Sequence, residues 1–145
     1  MIQVYLASGW FSPTQREEVD VIESWCDNHK DITLYSPRRE SNCPPTADES
    51  TQKKVFSANI VNIVKASLVI VNTRDKDLGT IFEAGVAFSR KIPIIYFAQG
   101  LTGTFNLMLS QSGIAVSTTY HELAKHVNGF IQNPRYTSPY TGVIE

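Results

Sequence analysis

Cysteine is scarce in this 145-residue chain: there are two, Cys26 and Cys43, and they form no C-x-x-C pair. A dithiol redox site and a thiolate zinc site are therefore not expected, and a reduced, cytoplasmic protein without a metal is. The three histidines, His29, His121 and His126, are scattered and belong to no H-E-x-x-H pattern. No apolar run approaches the roughly 20 residues that span a bilayer. The opening MIQVYLAS has no basic stretch ahead of an apolar one, so it reads as a strand that starts at once and not as a signal peptide. Charge is sparse and balanced, with 19% charged residues, a net charge of −1 and no basic block. That argues against a nucleic-acid polymer as partner and leaves a small neutral or anionic ligand open. G-x-G-x-x-G and G-x-x-x-x-G-K-[ST] are both missing, and with them the usual dinucleotide and triphosphate cradles. No Ser-His-Asp or Cys-His set stands in their place.

What is present is an ordinary globular composition, 42% apolar, in a chain long enough for one domain over residues 1–145 with a real core. Ile2 to Ala7 reads as a first strand. Ser12-Pro13-Thr14-Gln15 then announces a helix, with Ser12 as N-cap, Pro13 in the first turn and Gln15 completing a capping box. Val19, Ile22, Trp25, Cys26 and His29 continue it at helical spacing to about His29. Ile32 to Tyr35 is a second strand and Ser36 to Ser50 a polar loop. A helix over about Glu49 to Lys65 carries Val55, Phe56, Asn59, Ile60, Ile63 and Val64 on one face, with Asn59 the polar exception. Leu68 to Val71, Ile94 to Ala98 and Gly113 to Val116 read as further strands, and a short helix is expected near Phe105 to Met108. Thr119 and Glu122 cap a last helix ending near Ile131. Alternation of strand and helix at this spacing predicts an α/β fold, a doubly wound sheet of about five mainly parallel strands with helices on both faces.

The chain is organised around Leu68 to Arg90. Leu68-Val69-Ile70-Val71 is a run apolar on both faces, as a central parallel strand requires. A polar loop follows, and Leu78-Gly79-Thr80 opens a helix with Ile81, Phe82, Gly85 and Phe88 at helical spacing. Asp77 and Glu83 thus lie just past the carboxyl end of a buried strand, where wound sheets bind ligands. The same residues have a purely structural reading, since Thr80-x-x-Glu83 is the spacing of a capping box and Asp77 suits a helix N-terminus. In a wound sheet, Ser8-Gly9-Trp10, Asp77, Glu83 and the Gly100–Gly103 turn face one edge. Two carboxylates, a strand-borne tyrosine and aromatic side chains suit glycosyl chemistry, in which one carboxylate attacks the anomeric carbon of a cationic transition state. Trp10 and Phe11 are placed either to stack a planar base or to pack the first helix on the sheet.

Four motifs, in order along nearly the whole chain, resemble those of nucleoside 2-deoxyribosyltransferases. They are Tyr5-Leu6-Ala7-Ser8-Gly9-Trp10-Phe11, Asp77-Leu78-Gly79-Thr80-Ile81-Phe82-Glu83-Ala84-Gly85, Asn106-Leu107-Met108 and Tyr140-Thr141-Gly142-Val143. The resemblance implies a flavodoxin-like fold and a cofactor-free double displacement that passes 2-deoxyribose from a 2′-deoxynucleoside donor to a free nucleobase, in a salvage role. It makes Glu83 the nucleophile, Tyr5 the group that orients it, and Asp77 the partner of the sugar hydroxyls and a help in proton transfer to the base. It brings Ser8, Gly9, Trp10, Asn59 and Gly79 to the substrate. It also implies a homodimer or a multiple of dimers, in which Asn106 and the terminal segment with Glu145 reach a neighbouring subunit's site. The chain departs from the family's pattern in two places. Asn59 stands where many members carry an aspartate near the base, and Arg38-Arg39-Glu40-Ser41-Asn42 fills the loop where a base-contacting glutamine is expected. Arg38 and Arg39 either meet a substrate phosphate or are exposed loop residues. An N-glycosidase acting on nucleosides or their 5′-monophosphates is the alternative activity, and a non-catalytic nucleotide-sensing module is the alternative of another class.

Overall fold

Alternating side chains explain how one sheet serves two helical layers. The computed structural model describes residues 1–145. Strands β1 (Ile2–Ala7), β2 (Ile32–Tyr35), β3 (Leu68–Asn72), β4 (Ile94–Phe97) and β5 (Ala115–Ser117) form one sheet in the order β2-β1-β3-β4-β5. Every neighbouring pair is parallel. The helices are α1 (Pro13–Asp27), α2 (Pro37–Glu40), α3 (Glu49–Lys65), α4 (Leu78–Ser89), α5 (Leu107–Ser112) and α6 (Tyr120–Gln132). Val4 and Leu6 of β1, with Leu68 and Ile70 of β3, pack against Val19, Ile22 and Cys26 of α1 and Val127 and Phe130 of α6. Tyr5 and Ala7, with Val69 and Val71, point the other way, to Ile63 of α3 and Ala84 and Ala87 of α4. Each of these core side chains contributes about 1.5–3 kcal/mol by leaving water if it is a full-sized aliphatic. The result is the doubly wound parallel sheet that the alternation predicts, in the flavodoxin-like form that the resemblance implies. Its winding reverses between β1 and β3, which opens a crevice at the carboxyl ends of those two strands. No helix is long and apolar enough to cross a membrane.

Several boundaries differ from the sequence expectation for local reasons. Helix α1 stops at Asp27 because Asn28 closes it, its backbone N–H meeting the Cys26 and Ser24 carbonyls and its side chain donating to Ser24 O at 2.9 Å. The expected Ser12–Gln15 capping box is present in full. Helix α5 starts at Leu107, since Phe105 is extended and its N–H donates to Val143 O at 2.9 Å. Strand β5 begins at Ala115, opposite Ile95. Within the loop expected over Ser36 to Ser50, Pro37 starts the single turn α2.

The apolar stripes of α3 and α4 are the larger correction. On α4 the buried residues are Thr80, Ala84 and Ala87, while Phe82 and Phe88 are 55% and 59% exposed. On α3 only Ile63 is buried, and Phe56 and Val64 are 56% and 42% exposed. Small residues let α4 lie close on the sheet, and its large side chains are left outside.

Candidate active site

Strand alternation puts Tyr5 on the α4 side of β1, wholly buried and stacked on Tyr35 of β2 with ring centroids 5.5 Å apart. From there its hydroxyl donates to Glu83 Oε2. Glu83 is on the second turn of α4 and partly buried. Burial raises its pKa to about 7, the Tyr5 hydrogen bond pulls it back, and the charge of Asp77 pushes it up again. Burial, then the Glu83 carboxylate beside it, drives the Tyr5 hydroxyl far above its ordinary range, so it remains a donor.

The capping-box reading of Thr80 and Glu83 does not hold. Helix α4 starts at Leu78, and its N-cap is Asp77, whose Oδ2 accepts from Thr80 N at 3.0 Å and from Thr80 Oγ1 at 2.8 Å. Asp77 Oδ1 makes no hydrogen bond within the chain and is free for a ligand. Glu83, released from capping, is committed to Tyr5.

A cleft of 330 Å³ lies over this pair. Of the expected residues, Ser8, Trp10, Asn59, Asp77, Gly79 and Glu83 line it together. Tyr5 lies beneath Glu83. Gly9 does not line the cleft but makes room for Gln15, whose Nε2 would be 2.6 Å from a Cβ at that position. The Gln15 amide oxygen accepts from Phe11 N and Ser12 N, which fixes the turn carrying Trp10. Asn106 and Glu145 are elsewhere, on a larger hollow of 820 Å³ that contains neither Tyr5 nor Glu83. There Asn106 caps α5 through Leu109 N, and Glu145 Oε2 accepts from Thr104 Oγ1 at 3.3 Å.

Neither Arg38 nor Arg39 lines the cleft, nor does any other lysine or arginine. Arg38 pairs with Glu23 and Asp20 at 2.6 Å each, and Arg39 with Asp27 at 2.8 Å. Both are occupied in tying α2 to α1, and the phosphate reading of these arginines finds no support in their geometry.

The sequence reading missed two groups. Phe56, Ile60 and Phe82 complete the cleft wall, with Phe56 and Phe82 in contact at 6.1 Å between ring centroids. They stood at core spacing on α3 and α4, so nothing in the pattern set them apart from core. The second group is a polar network behind the cleft. Glu18, 3% exposed, accepts from Arg74 Nε at 3.0 Å and Nη2 at 2.7 Å, and from Asn72 Nδ2 at 3.4 Å. Asn72 Nδ2 also donates to Ser8 Oγ at 3.2 Å. A signal existed: Gln15, Glu18 and Ile22 fall on one face of α1, and a carboxylate at core spacing demands a buried partner.

Residues 4–130 match the family model described as Nucleoside 2-deoxyribosyltransferase. The chain belongs to that family. Its members act on nucleosides and nucleobases, which makes the chain a glycosyl-transferring or glycosidic enzyme. The fold is similar to that of a 2-deoxyribosyltransferase from Bacillus psychrosaccharolyticus, with a TM-score of 0.80 and 22% identity over 96% of this chain and 99% of that one. It is also similar to a 2-deoxyribosyltransferase from Leishmania mexicana, at TM-score 0.60 and 15% identity over 92% and 99% of the two chains. A CMP N-glycosidase from Clostridium botulinum shares the fold at TM-score 0.59 and 13% identity, over 87% and 98%. No curated protein sequence matches the chain.

Proposed function

We propose that this member exchanges the base of 2′-deoxyribonucleosides, with Glu83 as the nucleophile. The observation that carries the reading is a carboxyl group oriented by a buried tyrosine, facing a cleft with an aromatic wall and a second carboxylate. The ionised Glu83 oxygen attacks C1′ as the glycosidic C1′–N bond breaks. The bonding pair leaves with the base, which takes up a proton, and an ester joins Glu83 to C1′. A second base then attacks C1′ through a ring nitrogen, loses its proton, and returns the ester's electron pair to Glu83. Two inversions retain the configuration. Asp77 Oδ1 takes a deoxyribose hydroxyl, and Trp10, Phe11, Phe56 and Phe82 flank the base. No step needs a cofactor.

The same ester attacked by water would make the enzyme an N-glycosidase. Transfer is favoured where the cleft is closed against water, and a second copy of the chain supplies the closure in this reading. Leu78, Phe82, Phe88 and Met108 are exposed, as residues covered in an assembly would be in one chain. Asn106 and Glu145, apart from their own chain's cleft, serve the partner's. The lack of a lysine or arginine on the cleft disfavours a 5′-monophosphate.

The test is an incubation with 2′-deoxyinosine or thymidine, with and without adenine or cytosine, beside Glu83→Ala, followed by liquid chromatography. A new deoxynucleoside that requires both acceptor and Glu83 is the expected result. Base released equally with and without acceptor would make the chain a hydrolase, and no turnover at all would remove Glu83 from the nucleophile's role.

A further inference from the structure

Tyr5 stands between two cross-strand neighbours on the α3–α4 face of the sheet. In register with it are Val69 on β3 and Tyr35 on the edge strand β2. The Tyr35 ring is nearly parallel to that of Tyr5, at 15°, with the centroids 5.5 Å apart. A tyrosine hydroxyl lies on the axis of its own ring. Spinning the ring leaves it in place, and only a swing about the Cα–Cβ bond carries it away. Val69 and Tyr35 are the walls that limit this swing, and the hydroxyl stays on Glu83 Oε2. Tyr35 is itself secured at one end. Ser36, 1% exposed, donates through Oγ to Glu23 Oε1 at 2.6 Å. Arg38 donates to Glu23 and to Asp20 at 2.6 Å each, and Arg39 to Asp27 at 2.8 Å. An edge strand has a partner on one side only, and this clasp onto α1 holds the end of β2 beside β1.

We infer that Tyr35 is a positioning residue of the reaction, its ring holding the Tyr5 hydroxyl on Glu83. Tyr35 does not line the cleft, and the Tyr5 hydroxyl is given to Glu83 and not to Tyr35. The ring of Tyr35, and not its phenol group, therefore carries the role. The inference rests on the deoxyribosyl-transfer reading, in which Glu83 is the nucleophile. A shorter side chain at position 35 would let Tyr5 lean towards β2. Glu83 would then lose part of the hydrogen bond that favours its ionised form, and part of its aim at C1′. The titratable groups that bear on Glu83 are Tyr5 of β1 and Asp77 at the head of α4, and those that bear on Tyr5 are Glu83 and Tyr35. No lysine or arginine lines the cleft to mask a change in that set.

Tyr35→Leu is the test. It is read by a pH–rate series and by nuclear magnetic resonance titration of the Glu83 carboxyl in protein made with isotopically labelled glutamate. The acidic limb of kcat/KM and the Glu83 midpoint should both move to higher pH, by less than Tyr5→Phe moves them. The plateau kcat should fall about threefold with KM little changed. Tyr35→Phe keeps the ring and should keep the profile of the unsubstituted protein. Added to Tyr5→Phe, Tyr35→Leu should move neither limb nor midpoint further. A merely structural Tyr35 would lower the melting temperature and leave limb and midpoint in place, which overturns the inference. So would a shift to lower pH, the sign of water relieving the burial of Glu83. A Tyr35→Phe protein that behaves like Tyr35→Leu, or a further shift in the Tyr5→Phe background, would overturn it too. Should Tyr35→Leu not fold, Tyr35→Ile, β-branched and suited to a strand, carries the same readings. The two readings fail separately. A midpoint that moves as expected in a protein that transfers no deoxyribose would spare Tyr35 and sink the transferase, and transfer with an unmoved midpoint would do the reverse.

Discussion

At neutral pH the Glu83 carboxyl is divided between its protonation states, because burial raises its pKa to about 7 and the Tyr5 hydroxyl restrains that rise. A nucleophile must be ionised, so kcat/KM should increase with pH up to about 7 and level off above it. Tyr5→Phe removes the bond that lowers the pKa. The acidic limb should then move to higher pH by about one unit, and the plateau rate should fall about tenfold as orientation is lost. A pH–rate series on both proteins reads both effects, and an unmoved limb would show that Tyr5 does not tune Glu83. The same shift has a stability consequence of opposite sense to the usual carboxylate. The folded state holds the proton up to about 7 while the unfolded chain releases it near 4.5, so stability falls as pH rises through that interval. Glu83→Gln, which never ionises, should therefore gain on the order of 2 kcal/mol at pH 8, little or nothing at pH 4, and lose turnover. Thermal melts at the two pH values check it. Tyr5, Asp77 and Glu83 were legible in the sequence as a strand end and a loop brought to one edge. That Asp77 and not Thr80 caps α4 was not legible, because Asp-x-x-Thr and Thr-x-x-Glu overlap in Asp77 to Glu83 and both are reasonable helix starts.

The elements around the cleft are tied to one another through side chains that sequence periodicity does not report. The β3–α4 loop carries Asp75 and Lys76 at φ of 61° and 51°, a left-handed conformation that costs non-glycine residues about 1 kcal/mol each. It persists because α1 grips it: Gln15 Nε2 donates to Arg74 O, Ser12 Oγ to Asp75 Oδ2, and Glu18 takes the Arg74 guanidinium. Arg74 Nη2 also reaches Gln99 O at 3.2 Å, so the loop after β4 joins the same knot. Removing one partner of a buried pair leaves the other charge unpaired. Arg74→Ala, which strands Glu18, should cost about 3 kcal/mol in urea unfolding. Glu18→Gln, which keeps a hydrogen-bonding partner for Arg74 and Asn72, should cost less than half of that. Equal costs would mean that the pair is replaceable by packing alone. The strands and main helices were readable from alternation and caps, since those signals are local. The turn α2, the Glu18–Arg74 knot and the exposed aromatic residues of α3 and α4 were not, since each depends on which face of an element meets which neighbour. A stripe of Val55, Phe56, Ile60, Ile63 and Val64 has the same period whether it meets its own sheet or another molecule.

At the scale of the whole molecule, the residues expected to act on one substrate are divided between two places. Glu83, Asp77 and Asn59 line the smaller cleft, while Asn106 and Glu145 are on the hollow beyond the β3–α4 loop. The segment after α6 is well anchored there. Ser138 N donates to Ile114 O, Phe105 N to Val143 O, Glu145 N to Phe105 O and Leu107 N to Glu145 O, so the terminal strap brackets Asn106 and holds it away from its own Glu83. If Asn106 serves catalysis, it serves it in another copy, across a two-fold interface in which each chain gives what it receives. Mixing two inactive variants tests this directly. Glu83→Ala supplies an intact Asn106, and Asn106→Ala supplies an intact Glu83. Refolded together at equal amounts, random pairing makes half the dimers mixed, and each mixed dimer has one site complete and one doubly defective. The mixture should recover about a quarter of the unsubstituted activity. Recovery should depend on unfolding the two variants together, and the product should sediment as a dimer or a multiple of one. No recovery, with both variants folded and each assembled as before, would confine the reaction to single chains and leave Asn106 with its helix cap.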